Sequence, residues 1–367
     1  MIYREFQGKT LSALGLGTMR LPQNHDGSIN KELTAQMIAY ALENGINYFD
    51  TAWKYHGGTA ESVVGEILSV YPRDSYYLAD KFPGFDLNFF DQLDEIFTTQ
   101  LQKCCVDYFD FYLCHNVCER NIPAYLDPKK GAIDYFLRRK AEGKIRHFGF
   151  STHAELPALE QFLEAFGKVF DFCQIQLNYL DWSWQDAAMK VELLRKYNLP
   201  VWVMEPLRGG RLAIMPDTDL KILEEICGEE EAPHVSAFRF LQSIPEVTMI
   251  LSGMSDMAQL KDNIQIFSQH RPLEPEVFRA LGSVGRKMIE AVPCTACRYC
   301  TEYCPQNLEI PKLMRIYNEH RFADASYSLN ALPADKKPSC CLGCRQCESV
   351  CPQNILISEK LKELAEA

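Results

Sequence analysis

Eight short apolar segments alternate with eight longer ones across the first 270 or so residues of this 367-residue chain. The short segments lie at 13–17, 48–51, 76–81, 109–114, 145–151, 172–177, 200–204 and 247–251, and they have the length and apolar content of buried strands. The longer ones, near 32–44, 60–70, 91–103, 129–141, 155–165, 186–197, 234–243 and 256–267, show helical spacing of apolar residues. Parallel strands need crossover connections of this kind. Eight such units close into a parallel (β/α)8 barrel with the helices outside. An open doubly wound sheet competes. Against it, the first strand runs into Gly15-Leu16-Gly17-Thr18, without the G-x-G-x-x-G of a dinucleotide-binding sheet. Before the barrel, segments 3–6 and 10–12 flank Gln7-Gly8-Lys9 as an opening hairpin.

Segment 205–233 reads as irregular, with Arg208-Gly209-Gly210-Arg211 at its start and a solvated acidic run, Glu229-Glu230-Glu231, near its end. The division of the chain is expected at 1–271 for the barrel, 272–292 for a linker and a helix near 275–290, and 293–367 for a second, small domain. A net charge of -11 argues against a nucleic-acid or anionic-membrane surface, while leaving room for a local basic site that holds an anionic cofactor. The first residues lack the apolar core of a signal peptide, and no apolar run is long enough to span a bilayer. A cytoplasmic protein is expected.

In a parallel barrel, chemistry is placed at the carboxyl ends of the strands. Asp50 ends one strand, with Tyr55 in the loop beyond. Lys81 and His115 stand at or just past the ends of the next two, and Ser151 ends the fifth. Each alone has a plain reading, as a surface charge, a cap, a packed ring or a satisfied histidine. Together they have a shared chemistry. A phenol titrates near pH 10, and a neighbouring cation lowers that value. Lys81, held charged by Asp50, would make Tyr55 a general acid toward a carbonyl oxygen, or a base in the reverse direction. His115 would donate a hydrogen bond to the same oxygen. Two loops suit cofactor phosphates. One is Pro206-Leu207-Arg208-Gly209-Gly210 after the seventh strand. The other is Ser252-Gly253-Met254-Ser255 after the eighth, which opens the helix carrying Gln259 and Asn263.

These residues resemble the aldo-keto reductases. The resemblance rests on Phe49-Asp50-Thr51-Ala52 with Tyr55, Glu61 and Gly65, then Lys81, then Tyr112-Leu113-Cys114-His115. It continues through Gly149-Phe150-Ser151, Gln174-Ile175-Gln176-Leu177-Asn178-Tyr179, and Ser252-Gly253-Met254 with Asp262-Asn263. It implies a TIM barrel that reduces aldehydes or ketones with NADPH or NADH, or oxidises the alcohols. Asp50, Tyr55, Lys81 and His115 match the family's catalytic tetrad. Ser151 and Gln176 match positions that hold the nicotinamide carboxamide. The sequence departs from the family pattern at Thr152, at Met204, and at Gly253 and Gln259, where bases often hold the 2′-phosphate of NADP; NAD stays open.

Fifteen cysteines are distributed unevenly. Six lie before residue 228 and read as buried thiols; nine lie between 294 and 351. Cys294-x-x-Cys297-x-x-Cys300-x-x-x-Cys304-Pro305 is repeated as Cys341-x-x-Cys344-x-x-Cys347-x-x-x-Cys351-Pro352. This is the spacing of bacterial dicluster ferredoxins, in which the fourth Cys of each run serves the other cluster. Cys294, Cys297, Cys300 and Cys351 are therefore expected around one [4Fe–4S] cluster, and Cys341, Cys344, Cys347 and Cys304 around the second. Zinc lacks this habit of a third Cys and a following Cys-Pro. The tail is expected to be a small α+β ferredoxin-like domain, with a helix over 308–321 packed on the barrel. The whole chain resembles bacterial aldo-keto reductases with a carboxyl-terminal ferredoxin-like domain. Two functions follow. One is a carbonyl reductase acting on a small molecule, with the clusters as support or electron link. The other is an electron-transfer protein that uses the clusters with a redox partner, the barrel docking or sensing. Trp53, Trp182 and Trp184 are candidates for an apolar substrate wall or for plain packing.

Overall fold

Two strands, β1 (Tyr3–Phe6) and β2 (Lys9–Ser12), pair antiparallel at the start of the computed structural model, which describes residues 1–215, 217–228, 231–288, 292–322, 329 and 332–366. The hairpin stops the amino-terminal end of a closed barrel. Phe6 packs edge-on against Trp202, with ring centroids 4.9 Å apart, and meets Phe111 and Phe172 inside the barrel.

The barrel is built of β3 (Leu14–Gly17), β4 (Tyr48–Asp50), β5 (Tyr77–Phe82), β6 (Phe109–Val117), β7 (Ile145–Thr152), β8 (Phe172–Gln176), β9 (Val201–Met204) and β10 (Val247–Ser252). They follow chain order, all parallel, and β10 closes on β3. Between them run the helices Lys31–Glu43, Ala60–Leu68, Leu93–Lys103, Ala132–Ala141, Leu156–Phe166, Ala187–Lys196 and Pro233–Gln242, with Met257–Ile266 after β10. The strands are apolar on both faces because each is covered twice. Tyr48, Phe111, Phe172, Trp202 and Met249 fill the barrel interior, while Phe49, Tyr112, Phe148, Phe150 and Val203 meet the helices.

Three features of the barrel region differ from the sequence reading. The stretch after β9 contains a helix, Asp217–Cys227, whose Leu223 is buried; its many acidic residues mask a helical period. Of the acidic run beyond it, Glu229 and Glu230 lie outside the described residues, and Glu231 pairs with Arg239 at 2.6 Å. The helix Pro275–Met288, assigned above to the link between domains, packs on the barrel. Phe278 stacks on Phe240 at 4.5 Å, and Leu281 and Val284 join the main core.

The tail has its own core. Its helices Ile310–Phe322 and Ile357–Glu366 bury Leu313, Met314, Ile316, Leu361 and Leu364 together with Leu308, Ile355, Cys300 and Cys347. The helix expected to pack on the barrel thus packs within the tail, because its apolar stripe has a partner helix there. Among the described residues of the tail no strand is found, so the β part of the expected α+β fold is not among them; loops and short 3-10 turns carry the cysteines. No helix among the described residues is long and apolar enough to cross a membrane.

Gly65 shows how tightly the outer layer is set. A Cβ there would stand 2.5 Å from the backbone of Lys103 and Cys104. Gly65→Ala is expected to lower stability by roughly 1–3 kcal/mol through overpacking, read as an earlier denaturant midpoint of the far-ultraviolet signal. An unchanged midpoint would mean that the two helices separate freely.

Candidate functional site

β4 delivers Asp50 to the barrel mouth, and β5 delivers Lys81 beside it. The Lys81 ammonium donates to Asp50 Oδ1 at 2.5 Å and to the Thr51 carbonyl at 2.7 Å, and it is wholly buried. Behind it, Gln100 donates both to the Lys81 carbonyl and to Glu61, each at 3.0 Å, and Lys103 holds Glu61 at 2.9 Å. Tyr55 sits in the 3-10 turn Tyr55–Gly58, which bends through His56 and Gly57 at positive φ. Lys81 lies over the Tyr55 ring, 5.1 Å from its centroid. The ring meets His115 of β6 edge-on at 6.1 Å. The four expected residues therefore converge.

Their electrostatics depart from expectation in one respect. Burial first, then the Asp50 charge, pushes the Tyr55 phenol well above its ordinary range. The Lys81 ammonium over the ring is paired with Asp50. Burial also raises the Asp50 carboxyl, against the pull of Lys81. The His115 imidazole is pushed well below its usual value by burial and then by Lys81, so it is neutral near pH 7.

From this cluster a groove of about 540 Å³ runs between the loops after β9 and β10. Asp50, Tyr55 and His115 line its inner end; Gly209, Ser252, Gly253, Ser255, Gln259 and Asn263 line its course. Asn263 donates to the Ser252 hydroxyl at 3.1 Å, and Gln259 accepts the Ser255 N–H at 2.9 Å. The helix beyond starts from an acidic cap, Asp256, on the Gln259 N–H. Three other expected contacts lie outside the groove. The Ser151 hydroxyl accepts the Asn116 N–H at 2.9 Å. Gln176 is tied to Asp181 at 2.7 Å and to Gln353 of the tail. Arg208 is buried against Asp181 at 3.1 Å. Gln174, two residues before Gln176 on the same face of β8, lines the groove instead, and so does Arg20.

The groove is shaped for a ligand. Asp50 Oδ2, His115 Nδ1 and Gln174 Oε1 line it, are buried and have no protein partner. Buried polar atoms are rarely left so. A nicotinamide with its carboxamide fits this donor and acceptor set, and Gly253, with the Arg20 side chain packed over it, fits a nearby phosphate.

The tail covers the mouth. The Thr295 carbonyl accepts from Arg20 at 2.7 Å and stands where a Cβ on Gly209 would be, 2.7 Å away. The Tyr299 phenol lies 3.1 Å from His115 Nε2 and tilts against Phe85. Gln353 exchanges amide hydrogen bonds with Gln176 and takes one from Arg208 at 3.3 Å. Lys54 pairs with Glu302 at 3.1 Å. A second cleft, about 910 Å³, opens between barrel and tail and meets the groove at Tyr55, Cys297 and Tyr299. Trp53 and Trp182 are packing residues, against Lys103 and Phe240 respectively; the Trp184 side chain lies outside the described residues. Tyr299, Thr295 and Gln353 escaped the sequence reading because nothing in the cysteine spacing says what the loops face.

The cysteines fall into two sets. Cys294, Cys297, Cys300 and Cys351 line one small cavity with Ile310, Met314 and Ile355. Cys304, Cys341, Cys344 and Cys347 line another with Leu308 and Leu361. No three His, Cys, Asp or Glu side chains among the described residues are spaced to hold a single ion; each set surrounds a cavity. Burial pushes the Cys297 and Cys347 thiols up to about 12, so their thiolates need a cationic centre to form. Backbone N–H groups of Leu308 and Gly343 reach the sulfurs of Cys304 and Cys341 at 3.4 Å. Sulfur donors, apolar walls and N–H bonds to sulfur fit iron–sulfur clusters.

Residues 13–286 match the model of the aldo/keto reductase family, and residues 293–356 that of the 4Fe-4S dicluster domain. The chain is similar to the NADH-specific methylglyoxal reductase of Escherichia coli strain K12, 28% identical over 225 residues that cover 55% of this chain and 66% of the relative. It spans just under two thirds of that relative's length. It is similar also to the oxidoreductase YqkF of Bacillus subtilis, 26% identical over 297 residues, covering 73% of this chain and 90% of the relative. In fold it is similar to an aldo-keto reductase of Bacillus halodurans in its holo form, with a TM-score of 0.63 and 24% identity over 77% of this chain and 95% of that one.

Removing Lys81 would leave the Asp50 carboxylate buried and unpaired. Lys81→Met is expected to cost about 3–5 kcal/mol of stability, and Asp50→Asn added to it should recover part of the loss. Denaturant melts of both variants check this; equal losses in the two would show that the pair is not coupled.

Proposed function

We propose that this chain, which belongs to the aldo/keto reductase family and carries a 4Fe-4S dicluster domain, reduces small aldehydes or ketones with NADH. The observation that carries the reading is the buried Tyr55 phenol beside the Lys81–Asp50 pair, at the inner end of a groove with unpartnered polar atoms. Nicotinamide, when bound there, supplies a hydride to the carbonyl carbon. Tyr55 gives its proton to the carbonyl oxygen, so one C–H and one O–H form and the C=O π bond is lost. Lys81 steadies the phenolate left behind, and Asp50 keeps Lys81 charged and fixed. His115, neutral and at the groove's end, offers its imidazole to the developing oxyanion. Gln174 holds the carboxamide. Gly209, Ser252, Gly253, Ser255, Gln259 and Asn263 receive the phosphates and ribose.

NADH is preferred over NADPH in this reading. Gly253 and Gln259 bring no cation of their own, Asp262 lines the groove's outer part, and the one arginine there among the described residues, Arg20, is engaged by the Thr295 carbonyl at 2.7 Å. The similarity to an NADH-specific reductase of methylglyoxal agrees, and methylglyoxal is the first substrate to try. Two [4Fe–4S] clusters sit in the two cysteine cavities, Cys351 and Cys304 each serving the other motif's set. A second reading, electron transfer to a partner protein, draws on the exposed edge of the outer set, where Cys344 and Leu342 face solvent.

Protein purified without oxygen should oxidise NADH when methylglyoxal or another small carbonyl is added, and Tyr55→Phe should abolish this while leaving nucleotide binding intact. A variant as active as the parent would remove Tyr55 from the acid role. Because Tyr55 is raised and His115 lowered, kcat/KM should stay level between about pH 6.5 and pH 10, the ordinary values of the two groups. A limb inside that window would contradict the assignment. Iron and acid-labile sulfide should each be found at about eight per chain; zinc in their place would exclude the clusters.

A further inference from the structure

The loop that carries the first three cysteines does more than reach the barrel. It places Thr295 in the groove and Tyr299 where the groove and the cleft meet. On the groove side is Thr295, whose hydroxyl is buried without a protein partner, in a residue only 1% exposed. It shares this state with Gln174 Oε1, Asp50 Oδ2 and His115 Nδ1, all lining the same groove. Three of these four belong to the barrel; the fourth comes from the tail. A ligand that satisfies the barrel's atoms therefore finds a hydroxyl waiting from above. Where the cleft meets the groove is Tyr299, half-buried, with its phenol 3.1 Å from His115 Nε2 and its ring tilted 32° to Phe85. It stands beside the place where a carbonyl oxygen would meet His115.

The loop is anchored so that these placements hold. The Thr295 carbonyl accepts from Arg20, and Gly209 leaves space for it that no other residue would. Cys294, Cys297 and Cys300 fix the loop at three points around one cavity, closed by Cys351. Gln353, two residues beyond Cys351, ties the same end to Gln176 and Arg208.

We propose that the first cysteine loop is part of the active site, with Thr295 as a binding residue for the cofactor in the groove and Tyr299 as the residue that positions His115 and walls the substrate cleft. The proposal rests on the nicotinamide reading given above. In it, the cluster held by Cys294, Cys297, Cys300 and Cys351 is a clamp that sets two side chains. Hydride chemistry needs no electron from it, so its presence beside Tyr55 is accounted for by geometry. The barrel alone would have an unfinished cofactor groove and an unsupported His115.

Two conservative variants of the full, cluster-loaded protein test this. Thr295→Val keeps the shape and removes the hydroxyl. Tyr299→Phe keeps the ring and removes the phenol oxygen. Nucleotide affinity is read by quenching of protein fluorescence with NADH and NADPH in the absence of substrate; KM and kcat for methylglyoxal are read separately. Iron content and the visible absorption of the clusters confirm that both variants are loaded. Thr295→Val should weaken nucleotide binding on the order of tenfold, the loss of a buried hydrogen bond, with little change in KM for the carbonyl. Tyr299→Phe should leave nucleotide affinity alone and shift KM or kcat for the carbonyl several-fold. Its acidic limb of kcat/KM should also move, since His115 loses its partner. Variants that bind nucleotide and turn over as the parent does, or that both lose the two properties together, would overturn the proposal while leaving the carbonyl-reductase reading standing. A parent protein that binds neither nucleotide would overturn both.

Discussion

A lysine ammonium and a carboxylate, both out of reach of solvent, meet at the mouth of this barrel. Such a pair is costly to bury and is held only where geometry leaves it no alternative. Here β4 and β5 are adjacent and parallel, so the ends that carry Asp50 and Lys81 are forced side by side. The Thr51 carbonyl takes a second ammonium proton, and the Gln100–Glu61–Lys103 chain holds the strand end from behind. Tyr55 and His115 then pack against a charge that cannot move. The rest of the site inherits its position from that fixed point.

The same constraint explains why the phenol is raised and not lowered. A lone lysine beside a phenol favours the phenolate. Here burial dominates, with the Asp50 charge next. Tyr55 is thus an acid by default, and a base only once a reaction has taken its proton.

Much of the barrel was legible in the sequence because its signals are local. Apolar runs of strand length alternate with helical periods, and strand ends follow from the runs, which brought Asp50 and Lys81 to the ends of β4 and β5, while β6 runs on past His115 to Val117. Depth along a strand is less legible. Gln174 and Gln176 share one face of β8, and only the three-dimensional position of the tail shows that Gln176 is taken by Asp181 and Gln353 while Gln174 faces the groove. Arg208 looked like a phosphate residue from its glycine neighbours; its partner Asp181 is 27 residues earlier and invisible to spacing. The helix Ile310–Phe322 was legible as a helix, but the face it packs on depended on a second helix 35 residues beyond its end. Contacts between domains, such as Tyr299 with His115, carry no periodic signal at all.

The two cysteine motifs end in the same four residues, Cys-Pro-Gln-Asn. In the second, Gln353 is buried and spans the seam between the domains. In the first, Gln306 is half-buried and its carbonyl accepts from Lys336 within the tail. A sequence duplicated within one chain has been divided by docking into an inward copy and an outward copy. The inward copy is answerable to the barrel as well as to its cluster, while the outward copy is tied within the tail. Drift in the two halves of the repeat is therefore governed by different neighbours, and their symmetry in sequence outlasts any symmetry of duty.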